Sequence, residues 1–366
     1  MTRSGDTLSQ GMSALVTGGS RGLGLLIAGQ LAGRGCEVTI LARDSEELGR
    51  AMGWIRHRTG RTVRAVVCDV RDEEAVTAAV DEAAAAHGGL DVVIANAGVI
   101  QVAPAETAGS RAFHDAMATI FDGTLYTCLA ALPHLRRSPH GGRLGLIGSV
   151  GALVSPPHLL PYSCAKAAVR ALGEGLQAET AGSAVSVTTV HPGLMRTGSH
   201  LQAEFGGQAE EEYAWFSTLS GTPVLSMDAE RAAEKVVQAV ERRRTRAVLT
   251  PAARLASVAH GVAPTATTRA TGLAARTLPP PPGRRHPPPP APGPCPRLSP
   301  DPLAPSPQQG RPSPERPSRP PLQPADTGTA YQRVRGLRQV REYRRSTCRR
   351  YPTPGNSSRA VPRTSP

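Results

Sequence analysis

Lysine is almost missing from this chain. Of its 42 lysine and arginine residues only Lys166 and Lys235 are lysines, so a lysine at a motif position stands out. Aromatic residues are also sparse, at 3% of 366 residues. The six cysteines form no CxxC pair and no cluster, which argues against a zinc site or a disulfide framework and for reduced, structural thiols. No stretch approaches the ~20 apolar residues of a bilayer span, and no apolar run precedes Met12. These absences lead us to expect a cytoplasmic protein with neither membrane nor metal as a partner.

Negative charge is lacking overall, the formal net charge being +13, yet its distribution is uneven. From residue 251 onward 19 arginines face 4 acidic residues, a balance of +15, so residues 1–250 carry −2. The first part therefore has no excess cation with which to neutralise a phosphate backbone. Prolines divide the same way, 27 of 35 lying after residue 250. We read residues 1–11 as a flexible N-terminus, 12–250 as one globular domain, 251–278 as an Ala/Leu-rich helical extension and 279–366 as a disordered Pro/Arg-rich tail.

Within 12–250 short apolar runs alternate with amphipathic stretches. The run 12–17 ends at a glycine cluster, and Leu23, Ile27 and Leu31 follow at helical spacing. Strands at 36–42, 63–68, 91–95, 143–149, 185–190 and 247–249 are interleaved with helices at 45–58, 73–87, 110–135, 162–181 and 228–244. Such alternation implies right-handed crossovers and a doubly wound α/β fold with a parallel, Rossmann-like sheet. Ligands of such sheets sit at the carboxyl ends of the strands.

Gly18, Gly22 and Gly24 open the first helix at TGxxxGxG spacing. A side chain there would block the tight turn, the approach of a pyrophosphate or the packing of helix on strand. The helix N-terminus adds backbone N–H groups and positive potential. Ser20, Arg21 and Leu23 belong to the same turn. The second strand ends Leu41-Ala42-Arg43, where an NAD binder places an acidic residue. Arg43, with Arg21 opposite, suits a 2′-phosphate, so NADP(H) is the expected cofactor; Asp44, one residue on, argues for NAD(H).

Tyr162 and Lys166 are a YxxxK pair, one helical turn apart on one face, and Ser149 lies 13 residues upstream of the tyrosine at a strand end. Hydride transfer to a carbonyl requires a proton for the developing alkoxide. A phenol with a free pKa of ~10 supplies it most readily beside a cation. Lys166 is that cation, and the Ser149 hydroxyl would polarise the substrate oxygen. Read without these roles, the pair is a surface tyrosine and a helix-start lysine.

Taken together, TGGSRGLG at 17–24, Asp69-Val70, Asn96-Ala97-Gly98, Ser149, Tyr162/Lys166 and Pro192-Gly193 with Thr197 resemble the short-chain dehydrogenase/reductase family over residues 12–250. The resemblance implies that Asp69 and Val70 contact adenine and that Asn96, Ala97 and Gly98 back the cofactor. It also implies that Pro192, Gly193 and Thr197 hold the nicotinamide carboxamide, and that the chain is a homo-oligomer built through the helices at 110–135 and 162–181. Two positions depart from the family. Ile120 stands where an asparagine is usual, in a helix whose main-chain carbonyl holds a water that links the lysine to solvent. Ala95 replaces the first asparagine of NNAG.

The family's variable substrate lid falls at residues 197–222, which hold Phe205, Tyr213, Trp215 and Phe216. These rings serve either an apolar substrate pocket or the packing of the domain's own core. The expected activity is NADP(H)-dependent interconversion of a carbonyl and a secondary alcohol on a small apolar molecule. The alternative is a non-catalytic NADP-binding sensor or scaffold, suggested by Ile120 and the long tail. For the tail three readings stand: an extension without a partner, a segment for nucleic acid or another anionic surface, or GC-rich DNA translated out of frame.

Overall fold

The computed structural model describes residues 7, 8, 10–196, 203–222 and 226–280. Thr197, the expected tail from 281 on and most of the N-terminal segment lie outside them. The chain starts with β1 (Ser13–Thr17), α1 (Gly22–Gly33), β2 (Glu37–Ala42), α2 (Ser45–Thr59), β3 (Arg64–Val67), α3 (Glu73–His87) and β4 (Val92–Ala95). It continues with β5 (Gln101–Val102), α4 (Ala105–Ala116), α5 (Gly123–Arg136), β6 (Arg143–Ile147), α6 (Leu160–Glu179) and β7 (Ser186–His191). Then come β8 (Leu194–Arg196), β9 (Glu204–Phe205), α7 (Ala209–Gly221), β10 (Ser226–Asp228), α8 (Ala229–Glu241), β11 (Arg246–Val248), α9 (Pro251–Val262) and α10 (Pro264–Ala275).

Seven strands form one parallel sheet in the order β11-β7-β6-β4-β1-β2-β3. All five residues of β1 and all four of β4 are buried, as strands covered on both faces must be. One apolar core joins the sheet to α1, α2 and α8, and a second joins its other face to α3, α5 and α6. Local chemistry sets the helix ends. Asp44, Asp72 and Asp228 cap α2, α3 and α8 by accepting backbone N–H bonds in the first turn, and α2 and α3 stop at glycines in the left-handed region. The order of strands reverses between β1 and β4, and that reversal opens the crevice in which the site lies.

The single helix expected over 110–135 is interrupted. Gly109 (φ 62) breaks α4 near its start, and Met117–Asp122 form one π-helical turn before α5, with the Gly123 N–H reaching back to Ala118 O. The wide turn lies where the helix presses on the loop after β3: a Cβ on Gly123 would sit 2.7 Å from Val70 Cγ2. Two further two-stranded sheets, β8 with β10 and β5 with β9, lie beside α7 in the region expected to be the lid. The stretch expected to be helical at 251–278 consists of α9 and α10. No described helix is long and apolar enough to cross a membrane.

Candidate active site

At the carboxyl edge of the sheet one cleft is lined by the glycine turn, Arg43, Asp69, Val70, Asn96 to Gly98, Ser149, Tyr162, Lys166, Pro192 and Gly193. Every site residue expected from sequence therefore faces this cleft except Thr197, which lies outside the described residues.

The turn after β1 is built around missing side chains. Gly18 and Gly22 have φ of 66° and 56°, and a Cβ on Gly24 would stand 2.2 Å from Gly18 O and 2.5 Å from Asn96 Nδ2. Asn96 closes the turn from behind, its Nδ2 donating to Thr17 O at 3.0 Å, while the Asn96 and Ala97 N–H groups donate to Thr17 Oγ1. The Thr17 contribution was not visible in the sequence beyond its place before Gly18. Unlike α2, α3 and α8, helix α1 begins without a side-chain cap and without an acidic residue in its first turn. Its first N–H groups are thus left to an anion, and the cradle fits the pyrophosphate of a dinucleotide.

On the adenosine side, Arg21 Nη1 is 2.8 Å from Glu47 Oε1 and Ser20 Oγ donates to Glu47 Oε2 at 3.0 Å. Glu47 was not anticipated as a site residue. Arg43 Nη1 lies 3.9 Å from Asp69 Oδ2, and Asp69 is gripped more tightly by Arg71, at 2.6 Å. That pairing holds the Asp69 carboxyl below its ordinary pKa, chiefly through the Arg71 hydrogen bond. Asp44 is committed to capping: its Oδ1 accepts the Glu47 N–H at 2.9 Å, and backbone hydrogen bonds hold its carboxyl low.

Ser149 follows the end of β6 and its Oγ accepts the Gly151 N–H at 3.0 Å. Its backbone is set from both sides. The Val150 N–H donates to Pro192 O at 2.8 Å, and His191 Nδ1 donates to Ser149 O at 3.1 Å. Burial drives the His191 imidazole down to about 4, against the pull of that bond, so it is neutral at physiological pH. His191 adjoins Pro192-Gly193, the one sequence signal that could have flagged it. Lys166 is 4% exposed and its Nζ donates to Ile147 O at 2.6 Å, 5.8 Å from the Tyr162 ring centroid.

The phenol behaves differently from the sequence expectation. Burial pushes the Tyr162 pKa up, and the hydrogen bond with Ser149 only partly opposes this. The Lys166 ammonium is itself driven down to about 8 by burial. Desolvation outweighs the Ser149 hydrogen bond here, so the hydroxyl keeps its proton, the form a carbonyl reduction consumes. Ile120 is fully buried in the π turn and its carbonyl accepts the Thr124 hydroxyl.

This order of sheet, glycine turn and serine–tyrosine–lysine cleft matches known proteins. The family model for short chain dehydrogenases matches residues 12–204, more than half of the chain. The chain belongs to the short chain dehydrogenase family. The chain is 32% identical over 196 residues to an uncharacterised oxidoreductase of Staphylococcus saprophyticus, covering 53% of this chain and 83% of the relative. It is 30% identical over 258 residues to a fatty acyl-CoA reductase of Acinetobacter baylyi, covering 70% of this chain and 81% of that one. A short chain dehydrogenase from Mycobacterium paratuberculosis solved with bound NAD superposes with a TM-score of 0.58 at 26% identity, over 66% of this chain and 96% of the other. The chain is thus an oxidoreductase of a family that binds nicotinamide dinucleotides.

The lid aromatics lie mostly in packing. Phe205, Tyr213 and Phe216 are 1–4% exposed and form a small core with Val102, Leu159 and Ala203. Apolar residues that line the cleft include Val99, Ile100 and Met195.

Proposed function

We propose that this dehydrogenase is an NADP(H)-dependent carbonyl reductase acting on a small apolar aldehyde or ketone. The observation that carries the reading is the convergence of Ser149, Tyr162 and Lys166 on one cleft at the sheet edge, with the Lys166 Nζ 5.8 Å from the Tyr162 ring centroid. A bound nicotinamide supplies the hydride. Ser149 Oγ holds the substrate oxygen, and Tyr162 Oη donates its proton to that oxygen as negative charge develops there. Lys166 stabilises the phenolate left behind, and His191 keeps the Ser149 backbone in register.

Preference for the 2′-phosphate rests on Arg21 and Arg43, with Asp44 diverted to capping. The carboxylate pairs of both arginines are solvent-exposed, at 41% and 56% for the arginine side chains. Exposed pairs are worth only about 0–1 kcal/mol, so a phosphate dianion competes for both guanidinium groups. The apolar substrate is supported by Val99 and Ile100 in the cleft and by the relative that reduces fatty acyl-CoA.

The test is NADPH oxidation, followed by absorbance, with decanal, 2-decanone and cyclohexanone. Turnover that prefers NADPH to NADH, disappears in Tyr162→Phe and loses its NADPH preference in Arg21→Ala/Arg43→Ala is expected. Tight NADPH binding without turnover on any carbonyl would return the chain to the sensor or scaffold reading.

A further inference from the structure

We propose that His158, Glu212 and Trp215 form a clamp that fixes helix α7 against the loop between Ser149 and Tyr162, making Glu212 a positioning residue for the substrate. This rests on reading α7 as the substrate lid. Glu212 is the third of three consecutive glutamates. Glu210 and Glu211 are exposed, whereas Glu212 is 0% exposed. A carboxylate in that position needs directed donors, and it has them. His158 Nδ1 lies 2.8 and 2.9 Å from its two oxygens, and Trp215 Nε1 donates to Oε2 at 2.6 Å. The Trp215 ring also meets the His158 ring edge-on at 6.2 Å.

The other end of the clamp is equally constrained. His158 adopts φ 62, a left-handed conformation unfavourable for a non-glycine residue, and its carbonyl accepts the Ala103 N–H at 2.8 Å. A buried carboxylate and a strained histidine are two separate costs, and both fall outside the cores that hold the sheet together. An apolar contact would hold α7 without either. What the polar clamp adds is direction. It sets where α7 lies relative to the residue after His158, Leu159, which packs with Phe205 and Phe216 in the cluster that also touches Tyr162. The clamp thereby fixes the wall against which a substrate is pressed toward the Tyr162 hydroxyl. None of its members belongs to the glycine turn or to the adenosine side of the cleft.

The experiment uses the full chain with Trp54→Phe, leaving Trp215 as the sole indole. Glu212→Leu keeps the volume and removes the acceptor, whereas Glu212→Gln keeps an acceptor oxygen for His158 and Trp215. With the best carbonyl of the panel above, Glu212→Leu should raise KM by about tenfold or more and leave kcat within about threefold. NADPH affinity should hold within about twofold while the Trp215 emission shifts. Glu212→Gln should recover most of the KM. His158→Leu should repeat the Glu212→Leu effect and His158→Asn, which tolerates the left-handed region and retains a donor, should rescue it; this pair decides the matter if Glu212→Leu does not fold. Equal loss in kcat and NADPH affinity, unchanged KM, or a glutamine variant no better than leucine would overturn the clamp. Should the wild type turn over no carbonyl, the reductase reading fails on its own. Hydrogen exchange then decides the clamp: α7 amides exchanging faster in Glu212→Leu than in Glu212→Gln support it, and equal rates reject it.

Discussion

Lys166 occupies an environment that opposes its own charge. Its ammonium is 4% exposed and burial lowers it to about 8 from an ordinary 10.5. Below the folded value both folded and unfolded chains carry the proton, so the full cost of burying the charge is present at neutral pH. As pH rises from 8 towards 10.5 the folded chain sheds its proton first, and the cost fades. Lys166→Met should therefore stabilise the protein near pH 7, by about 1–3 kcal/mol at one pKa unit per ~1.4 kcal/mol, and the gain should shrink in melts run at higher pH. The same substitution should abolish turnover, a trade of stability for activity located at one atom. For the wild type, reduction should decline as pH rises through about 8. Lys166 loses its charge there while Tyr162, raised by burial, stays protonated. A rate that climbs through that pH would refute the assignment of Lys166 as the required cation.

The strand–turn–helix unit that opens the chain depends on close approaches rather than on any single bond. Gly24→Ala should lower NADPH affinity by about a hundredfold, since the added carbon would meet Gly18 O, a backbone atom that cannot swing away. Circular dichroism should show the sheet retained, separating a lost cradle from a lost fold. At this scale the sequence was informative because apolar runs bounded by glycine marked the seven strands of the main sheet, though not the short β5, β8, β9 and β10, and Asp44, Asp72 and Asp228 stand where helices begin. The π turn at Met117–Asp122 was hidden, because residues of a wide turn carry no composition of their own and the apolar spacing continues through it. Its Ile120 stands where the resemblance leads us to expect an asparagine. Ile120→Asn would place an amide at a fully buried position packed among apolar side chains, and we expect a loss of about 1–3 kcal/mol in stability, read as a lower Tm. Pairs such as Arg21 with Glu47, 26 residues apart, are equally invisible, since only the fold brings α2 to the glycine turn.

Across the whole molecule the two layers of helices differ in what they leave facing outward. Helix α5 buries Thr124, Cys128, Ala131 and Leu135 against the sheet, yet Leu129 on its outer side is 51% exposed, and Leu160 at the start of α6 is 37% exposed. These are the helices through which the family resemblance implies self-association. A second apolar stripe lies on α9, where Leu255, Val258 and Val262 are 64–82% exposed at helical spacing. A like-on-like contact at α9 is the poorer of the two, because no Asp or Glu occurs between Glu241 and Asp301 to balance Arg254, Arg269 and Arg276. Two copies meeting there would set cations against cations. Sedimentation should accordingly give a mass that is a multiple of 38.2 kDa. Leu129→Arg should reduce it to a single copy at micromolar concentration, whereas Val258→Asp should leave it unchanged. If Val258→Asp alone dissociates the assembly, the α9 stripe is the joint and the charge argument is wrong; a wild-type monomer would remove both faces from consideration.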